Sequence, residues 1–304
     1  FLYVNEGNQG TYGGGIYLND AGLIVKSCVI TNNAVTFSGG GIGAYQNQYL
    51  RIQNCDVLTN TATLEGGGVV LHSGTSIVNN TRIAQNSSGN GGGLMVYATA
   101  AFLTNLRVHD NIALSQGGGI HATFYSDYFL SNSLIYNNTA EWGGGINNHY
   151  HLRPTLVNNT VVNNHASSAG GGINFSGLVD GPQTVINSIV YHNTSPTGAQ
   201  FNSDESEMQI RNSMVQGWET VDSNTSLEPR FVNLAENEFQ LLDFSPAIGA
   251  GLDTTIAPTT DIDGNPRPNP AGSNPDIGAY ENPYGIPQHM PITINIPDDY
   301  ATIQ

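Results

Sequence analysis

Seven triplets of consecutive glycines divide the first two thirds of the chain into segments of nearly constant length. The triplets begin at positions 13, 39, 66, 91, 117, 143 and 170, so successive triplets are 26, 27, 25, 26, 26 and 27 residues apart. A fixed period of about 20–50 residues is typical of solenoids and repeat arrays. Because no Lys-Ser or Lys-Thr follows any triplet, the glycines do not form phosphate-binding loops of the P-loop type. They mark a structural repeat.

Each triplet is followed by a run in which apolar and mixed residues alternate. The first position after the triplet is always apolar: Ile16, Ile42, Val69, Leu94, Ile120, Ile146 and Ile173. Alternation with a period of two predicts a strand with one buried face. A second strand recurs about twelve residues later, as in "LSNSLIYNN" and "VINSIVYHN".

Short strands without intervening helical segments predict an all-β fold, a right-handed parallel β-helix of about eight coils of ~26 residues. The triplet is then a tight corner that requires φ > 0 or close backbone approach, and the residue after it fills the core. We assign 1–216 to the β-helix repeats, 217–285 to an irregular closing segment and 286–304 to an extended tail strand.

Two rows of asparagines recur with the same period. We predict that the first row is a structural ladder in which each side-chain amide bonds to the next coil. That row contains Asn54, Asn80, Asn105, Asn132, Asn158, Asn187 and Asn212. The second row follows about six residues later and contains Asn33, Asn60, Asn86, Asn111, Asn138, Asn164 and Asn193.

The charge balance excludes two classes of partner. The net charge is −16, only 11% of residues are charged, and Lys26 is the single lysine. A nucleic-acid-binding protein needs a basic stripe, which this chain lacks. No run of 18 apolar residues is present, so we expect no membrane span. Abundant Gly, Asn, Ser and Thr with almost no lysine favours an extracellular or cell-surface location.

Two parts of the sequence resemble known families. The repeats resemble the pectate-lyase-like right-handed β-helix superfamily, and in particular the "GGG-I" and "N-x-A" repeats of polymorphic bacterial outer-membrane proteins. Residues 227–281, with "LEPRFVNLAENEFQLLDFSPAIGAG" and "DIDGNPRPNPAGSNPDIGAYE", resemble the closing segment of secreted bacterial β-helix proteins with a choice-of-anchor Q domain. The resemblance implies a secreted or surface-attached protein.

The tail raises the question of assembly. "ITINIPDDYATIQ" resembles the opening coil of another β-helix, whereas residue 1 starts within a coil. The tail alternates Ile292, Ile294 and Ile296, a strand pattern with one apolar face. Two interpretations stay open: the tail docks on the next copy and builds a head-to-tail filament, or it leads into a further β-helix of one longer polypeptide.

The wall strand offers candidate ligand-binding residues but no catalytic ones. Its outward fourth position reads Asn19, Tyr45, His72, Tyr97, Thr123, His149 and Ser176. These positions carry no acid, which argues against lyase or hydrolase chemistry there. Tyr45, His72 and Tyr97, with His121 and His149 nearby, can stack on sugar rings; the alternatives are an ordinary solvated sheet face, or a metal site formed by His121, His149 and His151.

Four further features have structural and functional alternatives. Asp261, Asp263 and Asn265 in "DIDGN" offer oxygen ligands for calcium, the one cofactor considered, or structural turn chemistry. Arg267 is expected to pair with Asp276 or Glu281. Cys28 and Cys55 are stacked core residues or a disulfide. Equivalent positions on three successive coils form a surface charge ladder of Asp56, Arg82 and Arg107.

The sequence favours a non-catalytic extracellular structural or adhesive protein whose partners are other copies of itself or an extracellular polysaccharide. The alternative is a carbohydrate-active enzyme, a polysaccharide lyase or glycoside hydrolase, or a carbohydrate-binding module that uses the β-helix wall.

Overall fold

The computed structural model describes residues 2–5, 11–150, 152–177, 181–203, 208–218 and 221–289. The first strands are β1 Leu2–Asn5, β2 Ile16–Asn19, β3 Gly22–Lys26, β4 Cys28–Thr31, β5 Ala34–Val35, β6 Ile42–Gln53, β7 Asp56–Leu58, β8 Thr61–Ala62, β9 Val69–Asn79, β10 Arg82–Ala84, β11 Ser87–Asn90, β12 Leu94–Thr104, β13 Arg107–His109, β14 Ile112–Gln116 and β15 Ile120–Thr123.

The later strands are β16 Tyr128–Ser131, β17 Leu134–Tyr136, β18 Thr139–Trp142, β19 Ile146–His149, β20 Thr155–Val157, β21 Thr160–Val162, β22 His165–Ala169, β23 Ile173–Ser176, β24 Gln183–Ile186, β25 Ile189–Tyr191, β26 Phe201–Ser203, β27 Met208–Arg211, β28 Met214–Val215, β29 Phe231–Asn233 and β30 Glu238–Leu241. A 3₁₀ turn, Leu234–Glu236, separates β29 and β30.

Three parallel sheets form the walls of a β-solenoid. In the described residues, sheet A has nine strands (β1, β4, β7, β10, β13, β17, β21, β25 and β28), and sheet B has six (β5, β8, β11, β14, β18 and β22). Sheet C has thirteen: β2, β3, β6, β9, β12, β15, β16, β19, β20, β23, β24, β26 and β27. The all-β parallel solenoid is therefore confirmed, with about 7 turns in place of the predicted eight.

The glycine triplets form the corner between sheets B and C. The first glycine of each triplet has positive φ, from 58° to 78°. A Cβ on the second or third glycine would lie 2.3–2.7 Å from a backbone oxygen of the neighbouring turn. No side chain fits there, because that separation is shorter than a van der Waals contact. The residue after the triplet begins a strand of sheet C, and Ile42, Val69 and Leu94 are fully buried.

The corner between sheets A and B carries a buried asparagine ladder. It is formed by the second sequence row: Asn33, Asn60, Asn86, Asn111, Asn138, Asn164 and Asn193. From Asn33 to Asn164, each Nδ2 donates to the Oδ1 of the next asparagine at 2.9–3.1 Å, and Asn193 Nδ2 donates to Gln200 Oε1 at 2.8 Å. The third glycine of each triplet lies against this ladder; a Cβ on Gly93, for example, would be 3.0 Å from Asn111 Nδ2. The asparagine ladder therefore needs a residue without a side chain at the third position of each triplet.

The first asparagine row forms the predicted ladder only in part, and the prediction is corrected for the members that bond elsewhere. Its seven members occupy the corner between sheets C and A, where their φ angles lie between 46° and 55°. Asparagine tolerates this left-handed conformation better than most residues. Side-chain bonds link Asn80, Asn105 and Asn132, but Asn158 and Asn187 bond to the closing segment instead of to one another.

The closing segment packs on the outside of the last turns of sheet A. Outward-facing Leu134, Val162, Ile189 and Met214 form a second apolar core with residues from this segment. The segment contributes Phe231, Phe239, Leu241, Ala247, Ile248, Ile262, Ile277, Ala279 and Tyr280. On the three turns before Leu134, the equivalent positions hold Arg107, Arg82 and Asp56, and Arg107 pairs with Asp263 of the closing segment. Outward apolar residues on the last turns of sheet A thus form much of the surface on which the closing segment packs.

Candidate functional site

The predicted aromatic row lies on sheet C, where its central rings stack on each other. Tyr45, His72 and Tyr97 are register partners on β6, β9 and β12. The ring centroids of His72 and Tyr97 are 4.5 Å apart with an interplanar angle of 7°, and those of Tyr45 and His72 are 5.6 Å apart. Because the ring faces are turned toward neighbouring turns, a sugar ring would meet their edges.

The two other histidines proposed for stacking differ in their surroundings. His121 is only 4% exposed, and its Nδ1 lies 3.0 Å from Asn147 Nδ2. Burial, together with the nearby His149, lowers the pKa of His121 to about 3. A buried imidazole cannot stack on an external ligand, so the expectation for His121 is corrected. His149 is partly exposed, and its ring lies 3.8 Å from that of Tyr150.

The hypothesis of a histidine metal site has no matching cluster in the described ranges. His151, the third member of that hypothesis, lies outside the described residues. Within the part of the chain that the structure describes, no group of three or more His, Cys, Asp and Glu side chains is placed to hold a metal ion.

At the N-terminal end of the aromatic row, rings that sequence reasoning did not select surround a pocket. Tyr12 meets Phe37 and Tyr45 edge-on, with centroids 5.0 Å apart in each pair. Tyr17 lies 5.9 Å from Tyr45 and is 53% exposed. Tyr12 also stacks on Tyr17, with ring centroids 6.3 Å apart and an interplanar angle of 28°, and the exposed fractions of Tyr12, Tyr17 and Phe37 range from 38% to 53%. These side chains enclose a cavity of about 360 Å³, which we call the aromatic pocket.

Polar groups complete the lining of the aromatic pocket. They are Asn19, Ser38, Gln46, Glu65 and His72. Ser38 Oγ lies 3.5 Å from Glu65 Oε2. Burial raises the pKa of the Tyr45 hydroxyl, and the Glu65 carboxylate raises it further. Glu65 is the single carboxylate among the lining residues.

The pocket escaped the sequence analysis because its residues occupy different positions of the repeat. Tyr12, Ser38 and Glu65 immediately precede successive triplets and are linked as bridge partners. Tyr17 and Tyr45 follow a triplet. The sharp glycine corner brings these two sets together, although in the sequence they belong to separate alternating runs. Aromatic residues on both sides of the same triplet are the signal that could have found them.

In the closing segment, the residues proposed for calcium organise a turn. Asp261 is fully buried, and its carboxylate accepts hydrogen bonds from the backbone N–H groups of Asp263, Asn265 and Glu281 at 2.8–3.0 Å. The Asn265 amide donates to the same carboxylate. Asp263 instead pairs with Arg107 at 2.7 Å. Both carboxylates therefore have protein partners, and calcium binding by this trio stays a prediction.

Arg267 pairs with Glu281, one of its two expected partners. Arg267 Nε and Glu281 Oε1 are 3.0 Å apart, and both side chains are almost completely buried. Burial raises the pKa of Glu281 to about 7 and that of Asp276 to about 6, although Arg267 opposes both shifts. Burial also lowers the pKa of Arg267. The buried ion pair of Arg267 and Glu281 thus joins two parts of the closing segment.

Three further expectations concern the N-terminal half and the tail. Cys28 and Cys55 are buried free thiols, not a disulfide. Arg82 pairs with Asp56 at 2.9 Å across adjacent strands. The tail residues Ile292, Ile294 and Ile296 lie outside the described residues. In the described part of the chain, no helix is long and apolar enough to cross a membrane.

Comparison with known proteins identifies the type of fold. The family described as the right handed beta helix region matches residues 5–132. Among solved structures, the crystal structure of pectate lyase Pel9A is similar, with a TM-score of 0.55 and 14% sequence identity, over 92% of this chain and 69% of that chain. The fold is a right-handed parallel β-helix. No curated protein matches the sequence.

The likeness to pectate lyase Pel9A concerns the fold, because the two sequences are only 14% identical. Unrelated activities recur on one fold, so activity has to be inferred from the site itself. The right-handed β-helix fold is thus shown, whereas membership of the pectate-lyase-like superfamily, secretion, the polymorphic outer-membrane repeats and the choice-of-anchor Q assignment stay predictions.

Proposed function

We propose that the chain is a non-catalytic extracellular protein that binds neutral carbohydrate in the aromatic pocket and acts in adhesion. The observation that carries this proposal is a pocket in which the partly exposed rings of Tyr12, Tyr17 and Phe37 lie beside amide and hydroxyl groups. Sugars present apolar C–H faces and a rim of hydroxyls. Aromatic faces with nearby polar groups complement both.

The charge of the molecule supports a neutral ligand. The chain has 24 acidic residues and 8 lysines and arginines. The pocket contains Glu65, and none of its lining residues is lysine or arginine. A polyanionic saccharide would be repelled by this field and would find no cation to pair with. Glu65 and the amides can accept and donate hydrogen bonds to sugar hydroxyls.

The composition of the pocket supports binding without turnover. Glycoside hydrolysis generally uses two carboxyl groups on opposite sides of the scissile bond. The pocket has one, Glu65, whose neighbours are Ser38 and Tyr45. The pocket chemistry therefore favours recognition over cleavage.

Binding to neutral oligosaccharides tests the proposal. Calorimetric titration of a panel of neutral oligosaccharides should find a ligand, and Tyr17→Ala and Phe37→Ala should each weaken its affinity about fivefold to tenfold. Loss of one stacking face costs roughly 1–1.5 kcal/mol, which corresponds to about fivefold to tenfold in affinity.

Phe102→Ala is the matched control, because Phe102 is 52% exposed on β12 and does not line the pocket. Its affinity should equal that of the unchanged protein. An equal loss of oligosaccharide affinity in all three variants, or release of cleaved sugar during titration, would contradict the proposal.

A further inference from the structure

Cys28 and Cys55 occupy equivalent places on the first two turns. Strand pairing sets Val29 opposite Asp56, so the preceding residues Cys28 and Cys55 lie one turn apart. Adjacent strands are about 4.8 Å apart, within the range of about 4.4–6.8 Å between Cα atoms that a disulfide spans. Both thiols are free in the structure.

The Cys55 thiol is buried beside two backbone oxygens. Its Sγ lies 3.2 Å from Gln53 O and 3.6 Å from Val25 O, and burial raises the pKa of the thiol. Cys55 lies just before β7, which begins at Asp56, so its backbone is at a corner and not inside a strand. The preceding residue, Asn54, has a φ of 53°. A corner residue can adjust its Cβ direction more easily than a residue within a sheet.

A small reagent can reach the pair. A second cavity of about 360 Å³ is lined by both cysteines together with Thr81, Asp56 and Arg82. Cys28 is 6% exposed and Cys55 is 3% exposed, so Cys28 is the more accessible thiol.

We propose that Cys28 and Cys55 form a redox modification site, whose substrate is a low-molecular-weight disulfide such as oxidised glutathione. The Cys28 thiolate attacks one sulfur of the reagent, forms a mixed disulfide and releases one thiol. Cys55 then loses its proton and attacks the Cys28 sulfur, which forms the Cys28–Cys55 bond and releases the second thiol. Two protein thiols are oxidised, and one reagent disulfide is reduced to two thiols.

The bond would fasten the first turn to the second. Tyr12 and Tyr17 belong to the first turn, and Tyr45 to the second, so the aromatic pocket spans the same junction. The modification itself does not depend on the proposed function. Any effect of the Cys28–Cys55 bond on sugar affinity, in contrast, rests on the proposed function.

Serine provides a matched control, because hydroxyl residues already occupy this position on other turns. Thr81, Ser133, Ser188 and Ser213 each donate to the carbonyl two residues earlier, as both cysteines do. The variants Cys28→Ser, Cys55→Ser and the double variant should therefore fold.

The folded protein is equilibrated with reduced and oxidised glutathione at several ratios, alkylated and measured by intact mass and by peptide mapping without reduction. We expect an intramolecular link between Cys28 and Cys55, with loss of two hydrogens. Each single variant should form only a mixed disulfide with glutathione, and the mass of the double variant should not change on oxidation. Hydrogen exchange in residues 11–31 should slow at least tenfold on oxidation.

A chain that stays fully reduced at every ratio, or that links only between molecules, would overturn the proposal. These readouts are independent of sugar binding. Failure of carbohydrate titration with a normal Cys28–Cys55 link would count against the proposed function alone.

Discussion

The two asparagine rows share residue type and period, yet they perform different tasks. At the corner between sheets A and B, varied residues such as Thr59, Gln85 and Asp110 have the left-handed backbone conformation. The asparagine that follows each of them belongs to the buried ladder. At the corner between sheets C and A, the asparagine itself takes the left-handed position. The buried ladder position next to it holds Cys55, Thr81, Ser133 or Asn159. Corner position, not residue type, decides the role.

The same comparison explains how the closing segment attaches. Asn158 Nδ2 donates to the backbone oxygens of Asp276 and Gly278, at 3.1 and 3.4 Å, and the Asn187 side chain both donates to and accepts from Leu252. A left-handed corner points its side chain outward, so it can bond to a covering segment. Early members of the row, such as Asn54, are exposed instead.

The largest predicted effect comes from breaking the buried ladder. Asn111→Ala removes bonds to Ile83 O and Asn138 Oδ1 and the acceptor for two N–H groups of Asn86. Buried groups left without partners cost about 1–3 kcal/mol each before relaxation. We expect a loss of about 3 kcal/mol in the free energy of unfolding, measured by urea denaturation. A loss below about 1 kcal/mol would mean that the ladder is dispensable.

A smaller effect is expected where the first row holds the closing segment. Asn158→Gly keeps the left-handed backbone accessible and removes only the side-chain bonds to Asp276 and Gly278. We expect a cost of about 2 kcal/mol. Hydrogen exchange should accelerate in residues 247–281 and stay unchanged in residues 83–111. Equal acceleration in both regions would contradict a role limited to docking.

The buried acids make that attachment depend on pH. The pKa of Asp276 is raised to about 6 and that of Glu281 to about 7, so between about pH 4.5 and 7 the folded chain binds more protons than the unfolded chain. Stability must then fall as pH rises through this window. We expect a loss on the order of 1 kcal/mol, seen as lower exchange protection of residues 247–281 at pH 8 than at pH 5.5. Protection that rises with pH would refute this assignment.

The smallest effect tests the exposed end of the first row. Asn54→Gly should change stability by less than about 0.5 kcal/mol, because glycine adopts the φ of 53° without strain and the side chain is exposed. It is the matched control for Asn158→Gly, since both have the same substitution and backbone conformation. A loss as large as that of Asn158→Gly would remove the distinction between the two ends of the row.

Much of the fold could be predicted because solenoid periodicity is visible in the sequence. The triplet spacing gave the turn length, and the alternating residues after each triplet gave the buried face of sheet C. The asparagine rows could not be assigned by period alone, since both repeat every turn and differ only in backbone conformation. Outward apolar residues on sheet A, from Leu134 to Met214, were the available signal for where the closing segment packs.

The candidate site was less predictable than the fold. Tyr45, His72 and Tyr97 were predicted because they share one position of the repeat. In the structure their ring faces are largely turned toward one another. Tyr12 and Phe37 precede their triplets, and only the three-dimensional corner brings them beside Tyr45. Contacts across a corner depend on its geometry, which period and alternation do not specify.

A crystal structure of the protein soaked with a neutral oligosaccharide found by titration tests the central claim most directly. We expect a sugar ring to pack against Tyr17 and Phe37, with hydroxyl groups within hydrogen-bonding distance of Glu65 or Gln46. A sugar bound over the stacked rings of His72 and Tyr97, or on another wall with the aromatic pocket empty, would contradict it.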